Sequence, residues 1–301
     1  MSKALIGALI ITLGVLSGCG QTNTNQQVKG EATEIDQQSN VLRSYLMDSD
    51  FYERSFAAAE NTKKSQNVVA GIFPHHLLAN YIIADFFSRL DNDPPTIVLL
   101  SPNHFDRGKG QVMSTDFSWD TPNGLLEAAD GIIASLADQG IILRDDQVLS
   151  REHGISGVVP YIKKQFPQTQ VIPLVIKNTI KSEALDDLAE KLMASLPADA
   201  LVLASVDFSH EVMSAVAERQ DKESYQVIKN FNYSKIKDIK ADSWASLYLV
   251  MKIAQRQGAN NIELLTSSNS AIETDRYDSP VTSYLTVYFK KVRLNAMIKK
   301  L

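Results

Sequence analysis

The feature that most limits the folds open to this chain is a series of short, continuously apolar runs alternating with helix-period segments. The runs are 67–73 (NVVAGIF), 96–101 (TIVLLS), 170–176 (QVIPLVI), 200–207 (ALVLASVD), 261–266 (NIELLT) and 281–290 (VTSYLTVYFK). Successive side chains of a strand point to opposite faces, so a run without polar alternation must be covered on both. Between the runs, 182–196 (SEALDDLAEKLMASL) places Leu185, Leu188, Ala189, Leu192, Met193 and Leu196 on one helical stripe, with Ser182 positioned to cap. Residues 77–90, 124–140, 211–231 and 243–258 carry the same period less cleanly. This alternation predicts an α/β fold, with a mostly parallel central sheet and helices on both faces. The last run alternates more than the others and is expected to be antiparallel or an edge.

In open sheets of this kind ligands gather outside the carboxyl ends of the strands. His75 and His76 follow the first run, His104 follows the second within SPNH, and Asp207 and His210 close the fourth within ALVLASVDFSH. Imidazoles and a carboxylate converging from separate strands are what a metal or acid–base site requires. Blander readings stand beside this one. A single histidine after a strand also serves as a loop residue, and Asp207 with His210 in DFSHE suits an Asx turn or a helix start. His75 and His76 are adjacent, so in extended chain only one can face the site.

Composition sets the outer bounds. With 301 residues, 44% hydrophobic and 22% charged, the chain can bury a substantial core. A formal charge of -5 gives no basic footprint, which disfavours nucleic acid as a partner. The first 18 residues run from Lys3 through an apolar stretch to small residues, the order of a secretory signal. LSGC resembles a bacterial lipobox, which implies cleavage before Cys19 and lipidation of that thiol. Cys19 is the single cysteine, so no internal disulfide is available. Residues 19–44 are rich in Gln, Asn, Thr and Ser and read as a flexible tether. One α/β domain is expected over 45–301, its start falling between Val41 and Phe51. The expected location is the cell envelope outside the cytoplasm, lipid-anchored to a bilayer.

IFPHHLLAN, LLSPNHFD, REHGISGVVPYI, VIPLVI, LASVDFSHE and YDSPVTSYLTVYF together resemble, in order and approximate spacing, the MEMO family, which includes protein B of the AmmeMemoRadiSam system. The resemblance covers roughly Tyr45 to Phe289 and implies a fold similar to class III extradiol dioxygenases. It places the family's PH histidine on His75 and its PSH histidine on His104. The family's third ligand, a cysteine, falls in IKADSWASLYLV, where this chain has Asp242. In the related dioxygenases a carboxylate fills that role, so ligand capacity survives while a soft thiolate becomes a hard oxygen. Asp242 reads equally as an N-cap of the helix that follows. By the same resemblance, His210 and Asp207 match the SSDxxH pattern and His153 the EHS histidine. The candidate catalytic residues are then His210 as general acid–base, Asp207 as an orienting or substrate-binding group, and His153 beside them in the pocket. Ser156 and Val158 stand where the family has Glu and His, which removes polar groups from that part of the pocket.

Two imidazoles and a carboxylate are the facial set of non-haem Fe(II) enzymes, and the resemblance implies Fe(II), with Zn(II) or copper as alternatives. Three functions remain open: a dioxygenase-like redox enzyme acting on a small molecule, a non-catalytic metal-binding or protein-binding module, and a zinc-assisted hydrolase.

Overall fold

The computed structural model describes residues 40–59 and 62–292. The expected signal, the expected lipidation site Cys19 and most of the expected tether lie outside the described residues. The strands are β1 (Val41–Arg43), β2 (Val68–Phe73), β3 (Thr96–Pro102), β4 (Val112–Ser114), β5 (Ser118–Thr121) and β6 (Gly124–Leu126). There follow β7 (Leu143–Arg144), β8 (Gln170–Ile176), β9 (Leu201–Ser205), β10 (Asn261–Asn269) and β11 (Ser283–Lys290). Eight of them form one sheet in the order β10-β11-β2-β9-β3-β8-β4-β7, and β1-β5-β6 form a smaller one.

The centre of the large sheet, β2-β9-β3-β8, is parallel throughout. Its side chains show why these runs carry no polar alternation. Val98 and Leu100 of β3 join one apolar cluster, while Ile97 and Leu99 join the other on the opposite face. Val202 and Ala204 of β9 likewise face away from Leu201 and Leu203. Helices Ser182–Ser195 and Trp244–Arg256 supply the first cluster, and helices Asn80–Ser88 and Val159–Gln165 the second. Both faces are thus covered, which makes the fold a largely parallel α/β sheet flanked by helices. At Gly71 a β-carbon would stand 2.6 Å from Phe86 Cζ, so glycine is what admits the aromatic ring against β2.

The local expectations are met in part. β11 is antiparallel to both β10 and β2, as expected of that run, and it is interior because β10 pairs along its outer side and forms the edge. Segment 124–140 divides into β6 and a helix over Asp130–Asp138, since Leu126 pairs with Trp119 of β5. Helix Ser182–Ser195 has Lys181 at its N-cap with no side-chain cap bond, so Ser182 is its first helical residue and caps nothing. β1 pairs in parallel with β5 over Val41–Arg43, ahead of residue 45. Among the described residues no helix is long and apolar enough to cross a membrane.

Candidate metal centre

Because β2, β9 and β3 run parallel, the residues after their last positions reach the same rim. His75 lies two residues beyond β2, Asp207 two beyond β9 and His104 two beyond β3. Asp242 arrives from the turn before helix Trp244–Arg256, and His153 opens the short helix His153–Ser156.

His75 is buried and its orientation is fixed from three sides. Its backbone N–H donates to Asp207 Oδ1 at 3.0 Å. Its Nδ1 lies 3.2 Å from Ser205 Oγ, whose own proton goes to Gly154 O at 2.7 Å. A hydroxyl has one proton, so Ser205 accepts from His75 Nδ1–H and Nε2 keeps its lone pair. That Nε2 stands 3.3 Å from Asp242 Oδ2 and 3.6 Å from Asp207 Oδ2. Burial, then the neighbouring His104, hold the His75 imidazolium well below its ordinary value, so the ring is neutral.

His104 is set differently. Its Nδ1 donates to Glu152 Oε1 at 2.6 Å and its backbone N–H to Glu152 Oε2 at 3.1 Å. Its Nε2 lies 3.6 Å from Asp242 Oδ2. Burial opposes the charged ring, but the facing Asp242 carboxylate and the hydrogen-bonded Glu152 carboxylate outweigh it and raise His104 to about 10. The rings of His75 and His104 meet edge to face with centroids 5.0 Å apart. His153 stacks on His104 at 4.1 Å and 29°, and burial followed by the His104 charge lowers it to about 4.

The two carboxylates are joined through the backbone. Asp207 N–H donates to Asp242 Oδ2 at 3.1 Å, and Asp242 N–H donates to Asp207 O at 3.1 Å. Burial first, and then the Asp242 charge, raise Asp207 to about 8; burial also raises Asp242, offset in part by His104. Asp242 Oδ1 is buried without a hydrogen-bond partner. A carboxylate oxygen in that state has an unmet need, which a cation satisfies.

Asp242 is not the helix cap. Ser243 fills that position, its side chain accepting from Ser246 N–H at 3.1 Å. DFSHE is not a helix start either: the following helix begins at Ser214, and Asp207 receives the His75 amide in place of a first-turn N–H. His210 is exposed and lies outside the compact donor groups, although its charge is felt at His76 and Asp242. His76 turns from the centre and hydrogen-bonds through Nδ1 to the Tyr284 hydroxyl. Ser156 and Val158 are both buried. Glu152 and Ser205, which fix the two imidazoles, were not expected from the sequence.

The rim therefore defines a class: an α/β protein with a cluster of histidine and aspartate side chains at the carboxyl ends of its parallel strands, arranged so that it could hold a metal ion. The sequence model of the family described as Memo-like protein matches residues 44–288, and the chain belongs to that family. A MEMO1 family protein of Caldivirga maquilingensis is 24% identical over 245 residues, covering 77% of this chain and 86% of that one. One from Sulfolobus acidocaldarius is 27% identical over 210 residues, covering 66% and 73% respectively. Among solved structures, uncharacterized protein JW3007 from Escherichia coli K12 is similar in fold, with a TM-score of 0.50 and 12% identity over 73% of this chain and 98% of that one.

Proposed function

We propose that this Memo-family chain binds a divalent metal through His75, His104 and Asp242 and carries out dioxygenase-like redox chemistry on a small molecule. The observation supporting it is the state of Asp242, with Oδ2 3.3 Å and 3.6 Å from two imidazole Nε2 atoms and Oδ1 buried without a partner. Fe(II) held by two imidazoles and a carboxylate supplies open coordination positions and one-electron chemistry.

The chain's own groups divide the remaining work. Ser205 keeps His75 in the tautomer whose Nε2 can ligate, and Glu152 holds His104 from behind in the carboxylate–histidine manner that sharpens metal sites. Asp207 accepts the His75 backbone amide and so fixes the turn at the centre's edge. His210, on the exposed side, is the group that exchanges protons between substrate and water. Lipidation at Cys19 holds the protein on a bilayer outside the cytoplasm; the supporting feature is LSGC after an apolar leader.

Elemental analysis of protein purified without chelators tests the centre. Wild type is expected to carry metal, and His75→Ala and His104→Ala to carry less while circular dichroism is unchanged. Equal metal content in all three rejects the assignment. Oxygen uptake by Fe(II)-loaded protein with a catechol panel tests turnover. Loss of detergent-phase partitioning in Cys19→Ser tests the anchor.

A further inference from the structure

The rim offers more donors than one facial triad uses. Two compact groups share His75: His75, His104 and His153 in one, and His75, Asp207 and Asp242 in the other, with the ligand atoms of each group within 4.8 Å of one another. The first is entirely nitrogen and the second mostly oxygen. We propose that His153 is a metal ligand, and that the centre holds two alternative donor sets pivoting on His75. The all-imidazole set suits copper, and the carboxylate-rich set suits a harder ion such as Mn(II). This rests on reading the rim as a metal centre.

The two sides of His75 differ in stiffness as such a device requires. His75 is 2% exposed and locked by Ser205 and Asp207, whereas the His153 side chain is 40% exposed. One carboxylate sets the turn that carries the His153 ring. Glu152 takes His104 Nδ1–H, and the same Oε1 accepts from Gly154 N–H at 3.0 Å, which pins the turn carrying His153. His153 Nδ1 is 3.7 Å from that oxygen, beyond hydrogen-bond reach, so the ring is not committed to it. Imidazole nitrogens bound to one tetrahedral ion stand about 3.3 Å apart, given metal–nitrogen lengths near 2 Å. With the donors within 4.8 Å of one another, a movement of at most about one to two ångströms at the tip of the part-exposed His153 ring reaches that spacing. Asp207 and Asp242, tied to each other through the backbone, need no such movement.

The test uses the full chain with Cu(II) alone and Mn(II) alone as probes. His153→Phe keeps an aromatic ring stacked on His104 and removes the donor. Pulsed electron paramagnetic resonance of the Cu(II) form is expected to count three imidazoles in wild type and two in His153→Phe. Cu(II) affinity should weaken about ten-fold, with Mn(II) affinity unchanged. Asp207→Asn should weaken Mn(II) and leave the Cu(II) imidazole count at three. An unchanged imidazole count and Cu(II) affinity in His153→Phe overturns the proposal. His75→Ala separates the two levels: if it loses both ions while His153→Phe changes nothing, the metal centre stands and the second donor set does not. If His75→Ala binds both ions as wild type does, the centre itself fails.

Discussion

Glu152 and His104 form a short link at the metal centre, Oε1 to Nδ1 at 2.6 Å, and Glu152 is 1% exposed. The carboxylate also accepts the His104 and Gly154 amides, so it is fully engaged. A buried anion with three donors aimed at it holds the histidine ring in one orientation and makes its other nitrogen a stronger ligand.

Glu152→Gln keeps the shape but removes the charge. Metal affinity is expected to fall about 10- to 100-fold, the usual effect of losing a carboxylate behind a ligating histidine. Titration calorimetry with Zn(II) on wild type and variant measures it, and an affinity within two-fold of wild type contradicts the role.

Ser243 and Asp242 are neighbours with separable tasks. Ser243→Ala removes the cap of helix Trp244–Arg256 and should lower stability by about 1 kcal/mol while leaving metal content as it was. Asp242→Asn should do the reverse at the centre, reducing metal content, because Oδ2 faces both imidazoles. Chemical denaturation paired with metal analysis distinguishes them, and unchanged metal content in Asp242→Asn would remove Asp242 from the ligand set.

How far the sequence discloses this arrangement depends on what each residue must face. β3 and β8 are legible because burial on both faces writes an unbroken apolar run, and all seven residues of β3 are buried. His75, His104 and Asp207 are legible because parallel strands must deliver them to one rim. Residues 124–140 mislead, since Leu125 and Leu126 fit a helical period, yet Gly124 adopts φ 103° in a hairpin and Leu126 pairs across to Trp119. The interior place of β11 is not written in its own residues but comes from β10 covering its edge. Glu152 is illegible for a different reason: its burial follows from His104, 48 residues earlier, and no local pattern marks that pairing.

Gly154 lies where the donor turns meet. A β-carbon there would stand 2.3 Å from Ser101 Oγ, 3.3 Å from Glu152 Oε1 and 3.4 Å from His75 Nδ1. Gly154→Ala is therefore expected to cost about 1–3 kcal/mol and to weaken metal binding as well. The clash is chiefly with one hydroxyl, so Ser101→Gly in the same chain should recover much of the loss. The double-mutant cycle, read by urea denaturation, should give a coupling of at least 0.5 kcal/mol; simple additivity would place the defect elsewhere.

The metal-free centre should make the protein less stable as pH rises above neutrality. His104 is raised from 6.5 to about 10, so the folded state holds a proton that the unfolded chain has released. Its contribution is fully present below pH 6.5 and is lost as pH climbs through about 10. Asp207, raised from 3.8 to about 8 chiefly by burial, acts with the same sign over a lower window. His153, lowered to about 4, and His75, also lowered, act with the opposite sign, but only below their unfolded value of 6.5. Between pH 7 and 10 His104 and Asp207 are thus unopposed by these rings, and Asp242, also raised by burial, carries the same sign. Melting temperatures in excess chelator should decline across that interval, and His104→Ala should flatten the decline by removing the largest contributor. Saturating metal binds only the folded state and displaces those protons, so it should raise the melting temperature most at the alkaline end. A chelated wild type whose melting temperature holds level from pH 7 to 10, matching His104→Ala throughout, would mean that His104 is not held as a cation between Glu152 and Asp242.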